Sequence, residues 1–184
     1  PHRLPLPPSA DGQRSWGLMA QLYSVRSRRS WGLGDFADLA DLAAIAGEAG
    51  ADYLLINPVH AAEVTTPIEP SPYLPSSRRF LAPLYARPEL IPEVVYLSRT
   101  PRARLAELQA EAASANEDAE RLDRDAAWTA KREALELVHA VELSPARRAE
   151  LTAFVRREGP ALADFALWCA VREHETATGE RLPA

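Results

Sequence analysis

The chain has one cysteine, Cys169, set among Ala166, Leu167, Trp168 and Ala170, so neither an internal disulfide framework nor a cysteine zinc site can form within it. That usage fits a reducing compartment, and a cytoplasmic location is expected. Long apolar runs are missing too. The best of them, such as Tyr53 to Ile56, fall far short of the roughly 20 residues a bilayer-spanning helix needs, and residues 1–5 lack the apolar stretch of a signal peptide. Clustered positive charge is absent as well: a formal net charge of -5 and a pI near 5.4 create no attraction for phosphate backbones or anionic lipid. Neither nucleic acid nor membrane is expected as a partner, and no metal or cofactor is expected. Lysine is nearly absent, with Lys131 alone among many arginines. With the abundant alanine, that bias reads as genome composition rather than chemistry.

What is present suffices for a folded domain, since 184 residues with 47% hydrophobic side chains can bury a core of their own. There is no initiator methionine, and both ends read as cut, so a piece of a longer protein is expected. Residues 1–15, rich in Pro, Ser and charge, read as a linker from an upstream domain. The mostly apolar run from Gly17 to Tyr23 suits a strand buried on both faces. After a Ser/Arg-rich loop, Asp35 follows Gly32 and Gly34 and can cap a helix whose Phe36, Leu39, Leu42, Ala43 and Ala46 recur at helical spacing, with Gly50 as its stop. Tyr53 to Ile56 is a second short strand, closed by Asn57 and Pro58. Strand, helix and strand in that order make an α/β unit with parallel strands.

From Pro58 to Glu93 no periodicity is evident, but the stretch holds eight prolines and the aromatics Tyr73, Phe80 and Tyr85. A long ordered loop at the carboxyl end of a parallel strand is where such folds bind ligands. Residues 16–99 therefore read as barrel-type β/α units with a Pro-rich loop, and residues 100–184 as a mostly α-helical insertion subdomain. Thr100 with Pro101 and Ser144 with Pro145 each pair a capping hydroxyl with a proline that starts a helix, and Gly159 with Pro160 ends one helix and begins the next. Three or four helices are expected there, with Leu135, Val138, Leu143, Leu162, Phe165 and Cys169 on one stripe.

Several polar residues invite a chemical reading. Asp35 is explained in full as a helix cap. The string from Gly32 to Ala37 matches G-x-G-x-x-A, but an aspartate there would set negative charge against a pyrophosphate. His60 follows a strand end, where barrel enzymes place functional groups, yet a lone histidine is more often structural. Arg78 and Arg79 are expected to tie the loop down by ion pairs. Trp128, Trp168 and Cys169 read as core.

The pieces Trp16 to Tyr23, Trp31-Gly32-Leu33-Gly34-Asp35-Phe36, Asn57-Pro58-Val59-His60, Ser71-Pro72-Tyr73, Arg78-Arg79-Phe80 and Pro83-Leu84-Tyr85 occur in one order. In that order the chain resembles the amylomaltase family of glycoside hydrolases, the 4-α-glucanotransferases, over roughly residues 14–182. The resemblance implies the first strands and helices of a (β/α)8 TIM barrel carrying a helical insertion. It implies transfer of α-1,4-glucan segments between maltooligosaccharides by a retaining double displacement, which needs two carboxyl groups about 5 Å apart. In the family those acids come from later strands, so no catalytic residue is expected in this segment. Tyr73, Ser71 and His60 are the expected substrate-binding residues, Tyr73 offering an aromatic face to the C–H face of a pyranose; packing beneath the loop is its other reading. Ala82 replaces the family's asparagine before Pro83, and Ile68 stands where some relatives carry an aromatic of a second glucan site. A non-catalytic carbohydrate-binding or scaffolding module is the alternative function, and a nucleotide-binding domain a further one. An open third of a barrel would need self-association or more chain to cover its strands.

Overall fold

In the computed structural model, residues 14–63 and 65–181 are described, so most of the expected linker lies outside them. Strand β1 (Gly17–Ala20) pairs in parallel with β2 (Tyr53–Ile56), in register from Gly17 opposite Tyr53 to Ala20 opposite Ile56. Helix α1 (Phe36–Glu48) makes the crossover between them. Its start is set by Asp35, whose carboxylate accepts from the backbone N–H of Ala37 and Asp38, while Asp38 accepts in return from the Asp35 N–H at 3.1 Å. This reciprocal pairing satisfies donors that the first helical turn leaves free. Past the helix end, Gly50 adopts φ +85°, a conformation side-chain-bearing residues avoid. Gly34 is required for closeness instead: a Cβ there would overlap the carbonyl oxygens of Leu22 and Val25.

The first strand differs from expectation in two ways. It ends at Ala20, and Leu22 to Ser24 form a 3-10 turn. Nor are the strands buried on both faces: Met19 is 76% exposed, Tyr53 57% and Leu55 56%. Two strands flanked by one helix cannot cover both sides of a sheet.

A second sheet lies inside the Pro-rich stretch and was not legible in the sequence. Strand β3 (His60–Ala61) pairs antiparallel with β4 (Ser77–Leu81), and residues 65–76 belong to the loop between them. After β4 come 3-10 turns at Pro83–Tyr85, Pro88–Leu90 and Pro92–Tyr96, each opened by proline, whose fixed φ suits a first helical position.

Four helices follow: α2 (Arg99–Ala113), α3 (Arg124–His139), α4 (Pro145–Glu158) and α5 (Pro160–Thr178). The first begins before the expected Thr100 cap, with Ser98 at its N-cap position and Pro101 inside the first turn. Proline is tolerated there because the N–H it lacks would have no intrahelical partner. Ser144 caps α4 as expected, its Oγ accepting from Arg147 N at 3.3 Å. Gly159 separates α4 from α5.

Two buried clusters hold these pieces together. Trp31, Leu97, Leu105, Leu108, Ala134 and Val138 form one, so a tryptophan from the β/α half fills the space between α2 and α3. Its indole Nε1 donates to Glu89 Oε2 at 2.8 Å. Leu22, Leu33, Ala82, Tyr85 and Ala127 form the other, beneath the carboxyl ends of β1 and β2. Trp128 is buried as expected, but Trp168 and Cys169 are only half-buried. Trp168 stacks on Phe165, which stacks on Phe80 of β4 with ring centres 4.9 Å apart.

Candidate glucan-binding site

Asn57 organises the site. It is buried immediately after β2, and its Oδ1 accepts from Leu22 N at 2.6 Å, just beyond β1. Its Nδ2 donates to Pro58 O at 2.7 Å and to the Tyr85 hydroxyl at 3.2 Å. One amide thus ties together the carboxyl ends of both parallel strands and the turn after β4. Burial holds the Tyr85 phenol above its ordinary pKa, with Asn57 and the charge of Arg124 offsetting part of the effect. The group is neutral at physiological pH.

Above this tie lies a narrow cleft of about 40 Å³. Tyr23 enters it from the turn after β1, Pro58 and His60 from the segment after β2, and Ile68, Glu69 and Ser71 from the loop. Helix α3 contributes Arg124, whose guanidinium lies 4.8 Å from the centre of the Tyr23 ring, within cation–π range. The cleft has room for a few water molecules and not for a pyranose ring.

Two of the three expected site residues meet here. His60 is half-buried in β3, and its imidazole has no partner among the described residues. Ser71 is half-buried in the loop, its backbone N–H donating to Glu69 Oε1 at 2.9 Å. Its carbonyl accepts from Leu74 N at 3.3 Å, closing a turn that carries Tyr73. Tyr73 does not line the cleft. It stands next to it with 59% of its surface exposed, so the reading in which it packs beneath the loop does not hold.

The loop is held by the helices. Ile68 N donates to Asp125 Oδ1 of α3 at 2.7 Å, and Arg172 of α5 pairs with Glu63 at 2.8 Å. Arg79 meets the carbonyl of Glu158 at 2.8 Å and its carboxylate at 3.3 Å. That is the ion pair expected of it. Arg78 is exposed and makes no ion pair among the described residues.

Beneath the cleft lies a buried group of four charges. Arg87 Nε donates to Asp35 Oδ2 at 2.8 Å, and its Nη2 lies 2.8 Å from Asp38 Oδ1. Lys131 Nζ donates to Leu84 O at 2.7 Å and sits 3.8 Å from Asp35 Oδ2. Capping therefore does not explain Asp35 in full. It also neutralises two buried cations, and its carboxylate occupies the N-terminus of α1, where a dinucleotide phosphate would have to bind. Burial pushes the Lys131 ammonium down to about 8 against the pull of Asp35. For Asp38, burial opposes ionisation, but hydrogen bonds from Arg87, Ser30 and Ser27 outweigh it and hold the carboxyl below its usual range.

The family model described as 4-alpha-glucanotransferase matches residues 20–182. The chain belongs to the 4-alpha-glucanotransferase family. It is 52% identical over 180 residues to the 4-alpha-glucanotransferase of Mycobacterium tuberculosis strain H37Rv, covering 94% of this chain and 25% of the relative. The corresponding Haemophilus influenzae protein is 44% identical over 87 residues, 47% of this chain and 12% of that protein. Among solved structures, amylomaltase from Corynebacterium glutamicum superposes with a TM-score of 0.84 at 47% identity, over 94% of this chain and 24% of that one. The chain thus spans about a quarter of the length of the mycobacterial relatives it matches.

Against this family background, reading the sequence missed Arg87, Asp125 and the burial of Lys131, and took Asn57 as a strand stop without its tie to Leu22 and Tyr85. Lys131 did leave a signal: Ala127, Lys131, Ala134 and Val138 fall at helical spacing, and all four are buried. A lysine on such a stripe must find an acidic partner. Among the described residues there is no group of three or more His, Cys, Asp and Glu placed to hold a metal, and no helix long and apolar enough to cross a membrane.

Proposed function

We propose that this chain supplies part of the glucan-binding surface of a 4-α-glucanotransferase, a cytoplasmic enzyme that moves α-1,4-glucan segments between maltooligosaccharides with retention. The observation that carries the reading is where Tyr73 stands: exposed on a proline-stiffened loop, beside a cleft formed at the carboxyl ends of two parallel strands. That is the end at which parallel β/α barrels bind substrate. In this reading residues 16–99 are the first units of a (β/α)8 barrel and residues 100–184 a helical insertion. The open apolar faces around Met19, Tyr53 and Leu55 are then contact surfaces for further barrel elements.

The chemistry divides accordingly. Tyr73 presents a ring to the apolar face of a glucose unit, while Ser71 and His60 offer hydrogen-bonding groups to its hydroxyls. A retaining transfer needs a nucleophilic carboxylate and a proton-donating carboxylic acid flanking the bond that breaks. Among the described residues Glu69 is the only carboxylate lining the cleft, and Asp35 and Asp38 are committed to Arg87. The reacting pair therefore comes from sequence outside these 184 residues.

The test is maltotriose disproportionation by the full-length protein and its Tyr73→Ala variant. Loss of a ring contact worth about 1–2 kcal/mol should lower kcat/KM about 5- to 30-fold, with the thermal midpoint little changed. Unchanged kcat/KM, or activity lost only in step with melting temperature, would remove Tyr73 from the binding surface.

A further inference from the structure

The loop residues that meet substrate in the function proposed above need a fixed base, and the structure points to where that base is. We propose that Asp125 is a positioning residue, which sets residues 69–73 against the cleft from the first turn of helix α3. The inference rests on the glucan-binding reading of Ser71 and Tyr73.

Three observations carry it. The first concerns what Asp125 does with its carboxylate. An acid in the first turn of a helix ordinarily serves its own N–H groups, but here Asp123 does that, accepting from Ala126 N at 2.9 Å. Asp125 instead accepts from Ile68 N at 2.7 Å across a sequence separation of 57 residues. A carboxylate acceptor makes this stronger than a neutral hydrogen bond.

The second is the stiffness of the segment that the bond holds. Between Ile68 and Tyr73 stand Pro70 and Pro72, each with its φ locked by the ring. Ser71 N is bonded to Glu69 and Leu74 N to Ser71 O. A shift imposed at Ile68 is therefore passed along the segment to Ser71 and Tyr73 rather than absorbed by rotation within it.

The third is the firmness of the base. Helix α3 buries Ala127, Trp128, Lys131, Ala134 and Val138, and Lys131 bonds to Leu84 O beside the cleft. The same helix turn places Arg124 among the residues lining the cleft, over the Tyr23 ring. One helix thus both holds the loop at Ile68 and supplies a residue of the cleft itself. The Glu63–Arg172 pair also ties the loop, but at a point before Ile68 and farther along the chain from Ser71 and Tyr73.

The experiment compares Asp125→Ala and Asp125→Asn in the full-length protein, because asparagine keeps an oxygen acceptor in the same place and alanine does not. Maltotriose transfer and hydrogen exchange in the peptide containing Ile68 are both measured. Misplacement of a binding group by about 1 Å costs up to about 100-fold. For Asp125→Ala we expect kcat/KM to fall about 10-fold or more, with KM rising more than kcat falls and the Ile68 peptide exchanging faster. Asp125→Asn should stay within about threefold of the parent. If Asp125→Ala transfers normally, or the asparagine variant is equally impaired, or activity falls only with the melting midpoint, the inference is overturned while the glucan-binding reading stands. If the unaltered protein transfers no glucan, that reading fails and takes this one with it.

Discussion

Arg87→Met should be among the most damaging single substitutions available in this chain, whereas Lys131→Met should be mild. Arg87 is 5% exposed, and its guanidinium lies 2.8 Å from both the Asp35 and the Asp38 carboxylates. Removing it leaves two buried carboxylates facing one lysine, and breaking a buried pair from one side costs about 3–5 kcal/mol because the remaining charge is uncompensated. Lys131 is buried just as deeply, but its nearest carboxylate is 3.8 Å away and burial has already pushed its pKa down to about 8. Methionine fills similar volume without the desolvated charge, and loss of the bond to Leu84 O is then the main penalty, about 1 kcal/mol. Urea titration of the two variants and the parent should give midpoints separated by at least about 2 kcal/mol in stability between Arg87→Met and Lys131→Met. Equal losses would refute the division of roles, since they would mean that both cations compensate the acids alike.

Lysine 131 also makes a pH prediction. Its folded pKa, about 8, lies below the ordinary value of 10.5, so between those limits the unfolded chain holds a proton that the folded one has released. Stability should rise with pH in that window, by roughly 2–3 kcal/mol between pH 8 and 10, and Lys131→Met should abolish the rise. Tyr85 acts in the opposite sense above pH 10, because its raised pKa keeps a proton that the unfolded chain loses; denaturation series should stop there. A parent stability flat or falling from pH 8 to 10, after subtraction of the variant, would contradict the buried charged lysine. The isolated 184-residue chain should release no glucose from maltotriose, since the reacting carboxyl pair is assigned elsewhere; glucose release by purified chain would overturn that assignment.

Local signals account for what the sequence revealed. Asp35 before Phe36, Gly50 after the helix, Ser144 before Pro145 and Gly159 before Pro160 each act within a few residues, and each marks a boundary in the structure. The two parallel strands were legible because short apolar runs bracket an amphipathic helix. The β3–β4 pairing was not, since two and five residues separated by a proline-rich loop carry no alternation. Likewise the loop read as a ligand-binding segment from its position and prolines, and the order of motifs pointed to the glucanotransferase family. His60 and Ser71 could be named but not brought together.

The sequence by itself therefore determined the limits of α1, the start of α4, the break between α4 and α5, the stiffness of the loop and the family. All of these depend on neighbouring residues or on motif order. Only the tertiary structure decided that Asn57 joins two strand ends to Tyr85, that Arg87 and Lys131 neutralise Asp35 and Asp38, and that Asp125 holds the loop at Ile68. These contacts join residues tens of positions apart. Which buried charge finds which partner is set by the packing of helices against strands and turns, and no local pattern encodes it.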